Sequence, residues 1–142
     1  MIATPEDFAR IAPGDEVPPL TVEIDRLALV KYAGAADDYV REHWDHPHVT
    51  AKGYPDVIAH GWLTFAHMCR AVTDWAPPLF ASFANYGVRY HRPLYPGTLT
   101  CGGTVTAVAD GVVELALWGR NGDGDIVATG TVTLKRAGSE VA

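Results

Sequence analysis

Between His60 and Trp75 the chain reads as a helix with almost no polar face, because Trp62, Leu63, Phe65, Ala66, Met68, Cys69 and Val72 are spread nearly all round it. A helix of that kind is normally buried. Pro77-Pro78 stops it, since proline has no amide to donate and its ring clashes with the preceding turn. The apolar-rich stretch Gly61 to Cys69 is interrupted by Thr64 and His67 and falls far short of the ~20 apolar residues a membrane-crossing helix needs. The remainder of the chain must therefore supply a surface that covers this helix.

The residues after it read as strands. Phe80 to Arg92 is one, with Val88 and Tyr90 on one face, and Leu99 to Val108 is another. Asp110-Gly111 is a strong hairpin signal, because both central residues of a type I′ turn need positive φ. Val113, Leu115 and Leu117 then alternate with Glu114 and Ala116 in a strand from Val112 to Gly119. Asn121-Gly122-Asp123-Gly124 makes a second turn, and Ile126 to Lys135 closes the sheet. Ahead of the helix, Ile11 to Pro19 reads as a loop and Leu20 to Ile24 as a short strand. Asp25 is suited to cap a helix that ends near Gly34. Ala35 to Asp56 reads as a long irregular loop punctuated by Pro47, Gly53 and Pro55, and loops of that length are often functional.

No repeat or linker divides the 142 residues, so we expect one α+β domain over 1–142, an antiparallel sheet wrapped around a buried central helix. That is the hot-dog architecture. A lone sheet of this kind leaves an edge and an apolar flank open, and pairing with a second chain closes both.

Composition removes several classes of function. The chain is 48% hydrophobic and 20% charged, with a net charge of −6. This balance gives no basic footprint for nucleic acid, and nothing in it suggests a membrane protein. The densest basic cluster, Arg89, His91 and Arg92, can still hold a compact anion. Met1 to Asp7 shows no basic patch followed by an apolar run, and Cys69 and Cys101 lack a metal-type spacing. We therefore expect a cytoplasmic protein with reduced thiols and no signal peptide.

The long loop carries most of the chemistry-bearing side chains. Asp37 to His48 contains three aspartates and three histidines. Metal binding is one reading of such a cluster, but it holds no His-Glu-x-x-His and no cysteine pair, so we expect no metal.

The run Tyr32-Ala33-Gly34-Ala35-Ala36-Asp37-Asp38-Tyr39-Val40-Arg41-Glu42-His43-Trp44-Asp45 resembles the hydratase motif of the MaoC-like family, Tyr-Ala-x-x-Ser-Gly-Asp-x-Asn-Pro-x-His-x-Asp. Asp38 and His43 fall in register without a gap. Ile58-Ala59-His60-Gly61-Trp62-Leu63 is similar to the family's Ile-Ala-His-Gly-Met-Leu, and Val88 to Leu99 resembles its strand with an arginine and an aromatic before a Pro-Gly turn. Here Val40-Arg41 replaces the family's Asn-Pro, Ala36-Asp37 replaces Ser-Gly, and Cys69 takes the place of a helix serine found in some relatives. Val72 to Ala76, Val105 to Gly111 and Gly119-Arg120-Asn121 are similar to the small MaoC-like subunits of actinobacterial steroid side-chain hydratases, which work beside a second MaoC-like chain.

The resemblance implies reversible hydration of an enoyl-CoA or enoyl-carrier thioester to the (R)-3-hydroxyacyl product, with no cofactor. Asp38 and His43 are the expected acid–base pair, and the amide at Gly61 the expected donor to the thioester oxygen. His60, Trp62, Arg89 and Arg92 are expected to contact substrate, the arginines at the phosphates of its carrier arm. Either a homodimer or a heterodimer with another MaoC-like chain fits. Two other readings share this frame. A hot-dog thioesterase would place a carboxylate on or near the central helix, where Asp74 at the far end is the only acid. A non-catalytic subunit would complete the tunnel of a partner.

Overall fold

A computed structural model of the chain describes residues 2, 4–78 and 81–136. A short helix α1 (Pro5–Phe8) leads into strand β1 (Glu16–Ile24) and helix α2 (Arg26–Ala36). A 3-10 turn (Arg41–His43) and helix α3 (His46–Ala51) precede the long helix α4 (Gly61–Trp75). Four strands complete it: β2 (Ala81–Tyr90), β3 (Gly97–Ala109), β4 (Val112–Asn121) and β5 (Ile126–Arg136). The strands form one antiparallel sheet in the order β1-β3-β4-β5-β2.

Several local signals act as expected. The Asp25 carboxylate accepts from the Ala28 amide at 2.6 Å and caps α2. Asp110 and Gly111 both take positive φ, 51° and 74°, and reverse the chain between β3 and β4. Along β4, Val113, Leu115, Leu117 and Gly119 turn inward while Glu114, Ala116 and Arg120 face solvent, the period-2 alternation of a half-buried strand.

The inward faces meet α4, whose Phe65, Met68, Ala71, Val72 and Trp75 are buried in the core. The helix can sit this close because Gly130 offers no side chain beneath it. A Cβ there would lie 3.3 Å from Phe65 Cε2 and 2.9 Å from the Gly87 carbonyl. Burial of a side chain the size of Met68 contributes about 1.5–3 kcal/mol.

Three expectations need correction. First, α4 is not covered all round: Trp62, Ala66, Arg70 and Asp74, four residues apart in turn, form an exposed stripe, with Trp62 57% exposed. Second, the segment Ala35 to Asp56 is not irregular throughout. α2 runs on to Ala36, and α3 forms because the Asp45 carboxylate accepts from the His48 amide at 3.1 Å and Pro47 stands in its first turn. Third, β1 starts at Glu16 and includes Pro18 and Pro19. A sheet edge tolerates prolines because no second neighbour needs their amides, and the register slips between Val17 and Leu20 where they sit. β2 is described from Ala81, and Phe80, the expected start of that strand, lies outside the described residues.

Candidate active site

Asp38 is aimed by the end of α2. Asp37 takes a left-handed conformation at the helix C-cap, φ 53° and ψ 34°, and its amide donates to the Ala33 carbonyl. The Asp38 amide donates to the same carbonyl at 3.1 Å, and its carboxylate Oδ1 accepts from the Val40 amide at 3.3 Å. The family's glycine falls at this left-handed position, and aspartate is one of the few other residues that tolerates it.

His43 ends the 3-10 turn. Its Nδ1 lies 2.7 Å from the Ile58 carbonyl oxygen. A carbonyl only accepts, so Nδ1 carries the hydrogen and Nε2 presents its lone pair. That Nε2 lies 3.8 Å from Asp38 Oδ2, too far for a direct hydrogen bond. Two acceptors that share one water at ~2.8 Å each stand about 4.4–4.6 Å apart when the water keeps its tetrahedral angle. At 3.8 Å the two acceptors lie within reach of a single water, which would bridge them at a narrowed angle.

The loop is ordered without Asn-Pro. The Arg41 guanidinium donates twice to Asp45 Oδ2, at 2.9 and 2.7 Å, and the Ile58 amide donates to the Glu42 carbonyl at 2.8 Å. Glu42 pairs with Lys52 and His48. Its carboxyl is held at about 2, chiefly by the hydrogen bond from the Lys52 ammonium.

His60 and Gly61 open α4. The His60 side chain makes no cap bond, so the first amides of the helix keep the free donors and partial positive charge of a helix N-terminus. Gly61 and Thr64 of this helix line a cavity of about 370 Å³. Its walls include His43, Gly61, Thr64, Tyr90, His91 and Arg92. The Tyr90 ring lies directly over Gly61: a Cβ at position 61 would come within 2.8 Å of Tyr90 Cζ. Burial raises the pKa of the Tyr90 hydroxyl above its usual value.

Asp38, His43 and His60 offer three ligand atoms within 4.8 Å of one another. The two imidazoles are stacked, however, with centroids 3.8 Å apart and planes 25° from parallel. A metal must lie close to the plane of each ring it binds, and nearly parallel rings have no common in-plane point at bonding distance from both. The cluster is built as a stack.

The other expected site residues are distributed unevenly. Arg92 reaches the cavity mouth and pairs with Asp125. Arg89 lies on the outer face of the sheet, in a groove with Gly87, Thr129 and Thr131, because alternate residues of β2 point to opposite sides. Trp62 borders a separate apolar groove with Tyr32, Phe65, Ala66, Cys69, Phe83 and Tyr86. His60 is 1% exposed and lies behind His43, with no surface on the cavity. Thr64 and Tyr90 were not singled out from the sequence as site residues, and His91 entered only within the basic cluster of Arg89 and Arg92. For Thr64 a signal existed: it lies one turn beyond His60, a polar residue in an apolar helix, and neighbours at that spacing share a face.

A sheet wrapped on one helix, with a polar, histidine-bearing cavity at that helix's amino end, defines a hot-dog protein with a polar site. The sequence profile of the MaoC-like domain matches residues 9–116, and the chain belongs to that family. It is 36% identical over 122 residues to the 3-oxo-4,17-pregnadiene-20-carboxyl-CoA hydratase beta subunit of Mycobacterium tuberculosis, covering 85% of this chain and 93% of that protein. It superposes on a chain of the ChsH1–ChsH2 complex from M. tuberculosis with a TM-score of 0.81 and 33% identity, over 88% of this chain and 98% of that one. The R-hydratase PhaJ1 of Pseudomonas aeruginosa, 22% identical, has the same fold with a TM-score of 0.84 over 95% of this chain and 90% of its own.

Proposed function

We propose that this chain hydrates an α,β-unsaturated acyl thioester to the (R)-3-hydroxyacyl thioester, and catalyses the reverse dehydration. The observation that carries this reading is the 3.8 Å separation of Asp38 Oδ2 and His43 Nε2 beside the free amides of α4. A water held by both acceptors loses a proton to one of them as its oxygen bonds to Cβ. The electron pair of the double bond moves to Cα and the thioester oxygen, and the pair returns a proton to Cα. Charge building on the thioester oxygen meets the α4 amides, of which Gly61 leads, and one such donor is typically worth about 3 kcal/mol. Arg92 at the mouth meets the carrier phosphates.

The test follows loss of enoyl-thioester absorbance with crotonyl-CoA and with a bulky steroid enoyl-CoA. Turnover by the native chain is expected to fall by about 10²–10⁴-fold in both Asp38→Asn and His43→Ala. Turnover that survives in both variants removes the pair from the reaction.

A second reading concerns assembly. The relative of known complex structure is part of ChsH1–ChsH2, and another similar chain comes from the HadBC complex of M. tuberculosis. In this chain β2 is a free sheet edge, flanked by the apolar groove of Trp62, Phe83 and Tyr86. We propose that a second MaoC-like chain covers this edge and groove. A homodimer or heterodimer by native mass spectrometry is the expected result, and activity that appears only with a second MaoC-like chain assigns this one to a heteromeric hydratase. A thioesterase is disfavoured, because Asp74 is exposed at the far end of α4 and paired to Arg70.

A further inference from the structure

His60 connects the two reacting side chains without entering the cavity. Its side chain turns away from the cap position of α4, and its Nε2 lies 3.2 Å from the Asp38 carbonyl oxygen. Only the ring can donate in that contact, so Nε2 carries the hydrogen. Nδ1 is then a bare lone pair, buried with no hydrogen-bond partner among the described residues. Buried polar atoms left unpaired are rare in folded proteins, and each calls for a reason. Here the reason lies in the rest of the ring: one face stacks on His43 at 3.8 Å, and Tyr32 of α2 tilts against it at 4.9 Å and 55°.

We propose that His60 is a positioning residue, whose Nε2–H anchors the main chain of Asp38 and whose face fixes the ring plane of His43, so that carboxylate and imidazole keep their working separation. The inference rests on the hydratase reading above and deepens it. His43 is then held twice, by the Ile58 carbonyl at Nδ1 and by His60 at its face, which leaves its Nε2 lone pair one direction in which to point. Placement within a fraction of an ångström matters, because a displacement near 1 Å costs about 10²-fold in rate.

The groups that face His60 are Asp38, His43 and Tyr32. Burial lowers its pKa most; the nearby His43 acts the same way, and Asp38 opposes through its carbonyl and its charge. The surroundings of His60 therefore favour its uncharged form.

The first measurement is direct and needs no variant that must refold. In the native protein labelled with 15N-histidine, neutral His60 is expected as the Nε2–H tautomer, and neutral His43 as the Nδ1–H tautomer. A His60 that holds its hydrogen on Nδ1 overturns the proposal.

The second is kinetic. His60→Phe keeps a face and loses the donor, whereas His60→Gln keeps a donor and loses the face. Each is expected to lower kcat by about 10–100-fold with KM for the enoyl-CoA within about twofold. Neither is expected to add a further loss on top of Asp38→Asn, since residues that act as one unit are not additive. Unchanged kcat in both variants overturns the proposal, and so does an equal loss in the Asp38→Asn background, which marks a general structural role. A native protein that never hydrates enoyl-CoA, alone or with a second MaoC-like chain, defeats the hydratase reading instead, and the tautomers still decide the geometry claimed for His60.

Discussion

The imidazoles of His43 and His60 lie face to face, with ring centroids 3.8 Å apart and planes 25° from parallel. They meet because Ile58, just ahead of α4, is bonded twice to the 3-10 turn, through its amide to the Glu42 carbonyl and through its carbonyl to His43 Nδ1. One ring of the stack reaches the cavity and the other is sealed behind it. The arrangement makes the site sensitive to pH, to the shape of Gly61 and to the turn that carries Asp38.

Burial holds the pKa of both His60 and His67 below 6.5, with the charge of Arg70 adding to the effect at His67. Both rings are therefore easier to protonate in the unfolded chain. Their contribution to stability is complete above about pH 6.5 and is lost as the pH falls from there toward the folded values. Glu42 acts lower: its carboxyl is depressed from 4.5 to about 2, so its contribution fades only below about pH 4.5. Thermal unfolding followed from about pH 7.5 to 5 is expected to show a falling Tm, with a shallower slope in His60→Phe. A Tm that rises on acidification contradicts the neutral stack.

Gly61→Ala places a methyl group 2.8 Å from Tyr90 Cζ. The Tyr90 ring must then move or the start of α4 must shift, at a cost of about 1–3 kcal/mol. Denaturant unfolding is expected to report that loss together with reduced turnover. Adding Tyr90→Ala is expected to recover part of the stability, because it removes the ring the methyl meets. Additive losses in the double variant would place the clash elsewhere.

Asp37 occupies a left-handed C-cap at φ 53°. Glycine accepts that backbone without strain, so Asp37→Gly is expected to leave turnover intact and change stability by less than about 1 kcal/mol. Asp37→Val forces a β-branched side chain into the same region, at a cost of roughly 1–2 kcal/mol, and displaces Asp38. Stability and kcat are expected to fall together in that variant. Equal behaviour of the two substitutions would mean that the turn does not aim Asp38.

Arg92 lines the cavity mouth and Arg89 the outer face of the sheet. Steady-state kinetics on acyl-CoA are expected to show KM raised several-fold by Arg92→Ala and unchanged by Arg89→Ala. An Arg89 effect equal to that of Arg92 would mean that the carrier arm crosses the outer face.

Much of the architecture was legible because it rests on short-range rules. The Asp25 cap, the Asp110-Gly111 turn and the alternation along β4 each depend on neighbours within a few residues. The apolar run from Gly61 to Trp75 indicated a central helix, and the spacing of Asp38 and His43 marked the loop to examine. α3 was missed because a six-residue helix has little periodicity of its own; its Asp45 cap and the Arg41–Asp45 pair hold it. The prolines of β1 were read as loop residues because a sequence does not say which strand lies at a sheet edge.

The sequence by itself determined that a sheet must cover one apolar helix, and which residue types stand ready for acid–base chemistry. Only the tertiary structure decided how they meet. Tyr90 closes over Gly61 because β2 ends beside the start of α4. The exposed stripe of α4 is the one the sheet does not reach. His60 became buried behind His43 and Arg92 a cavity residue, while Arg89 was carried to the outer face. Each of these depends on which surfaces pack together across long stretches of chain, and packing, unlike helix and strand period, is set by the whole fold.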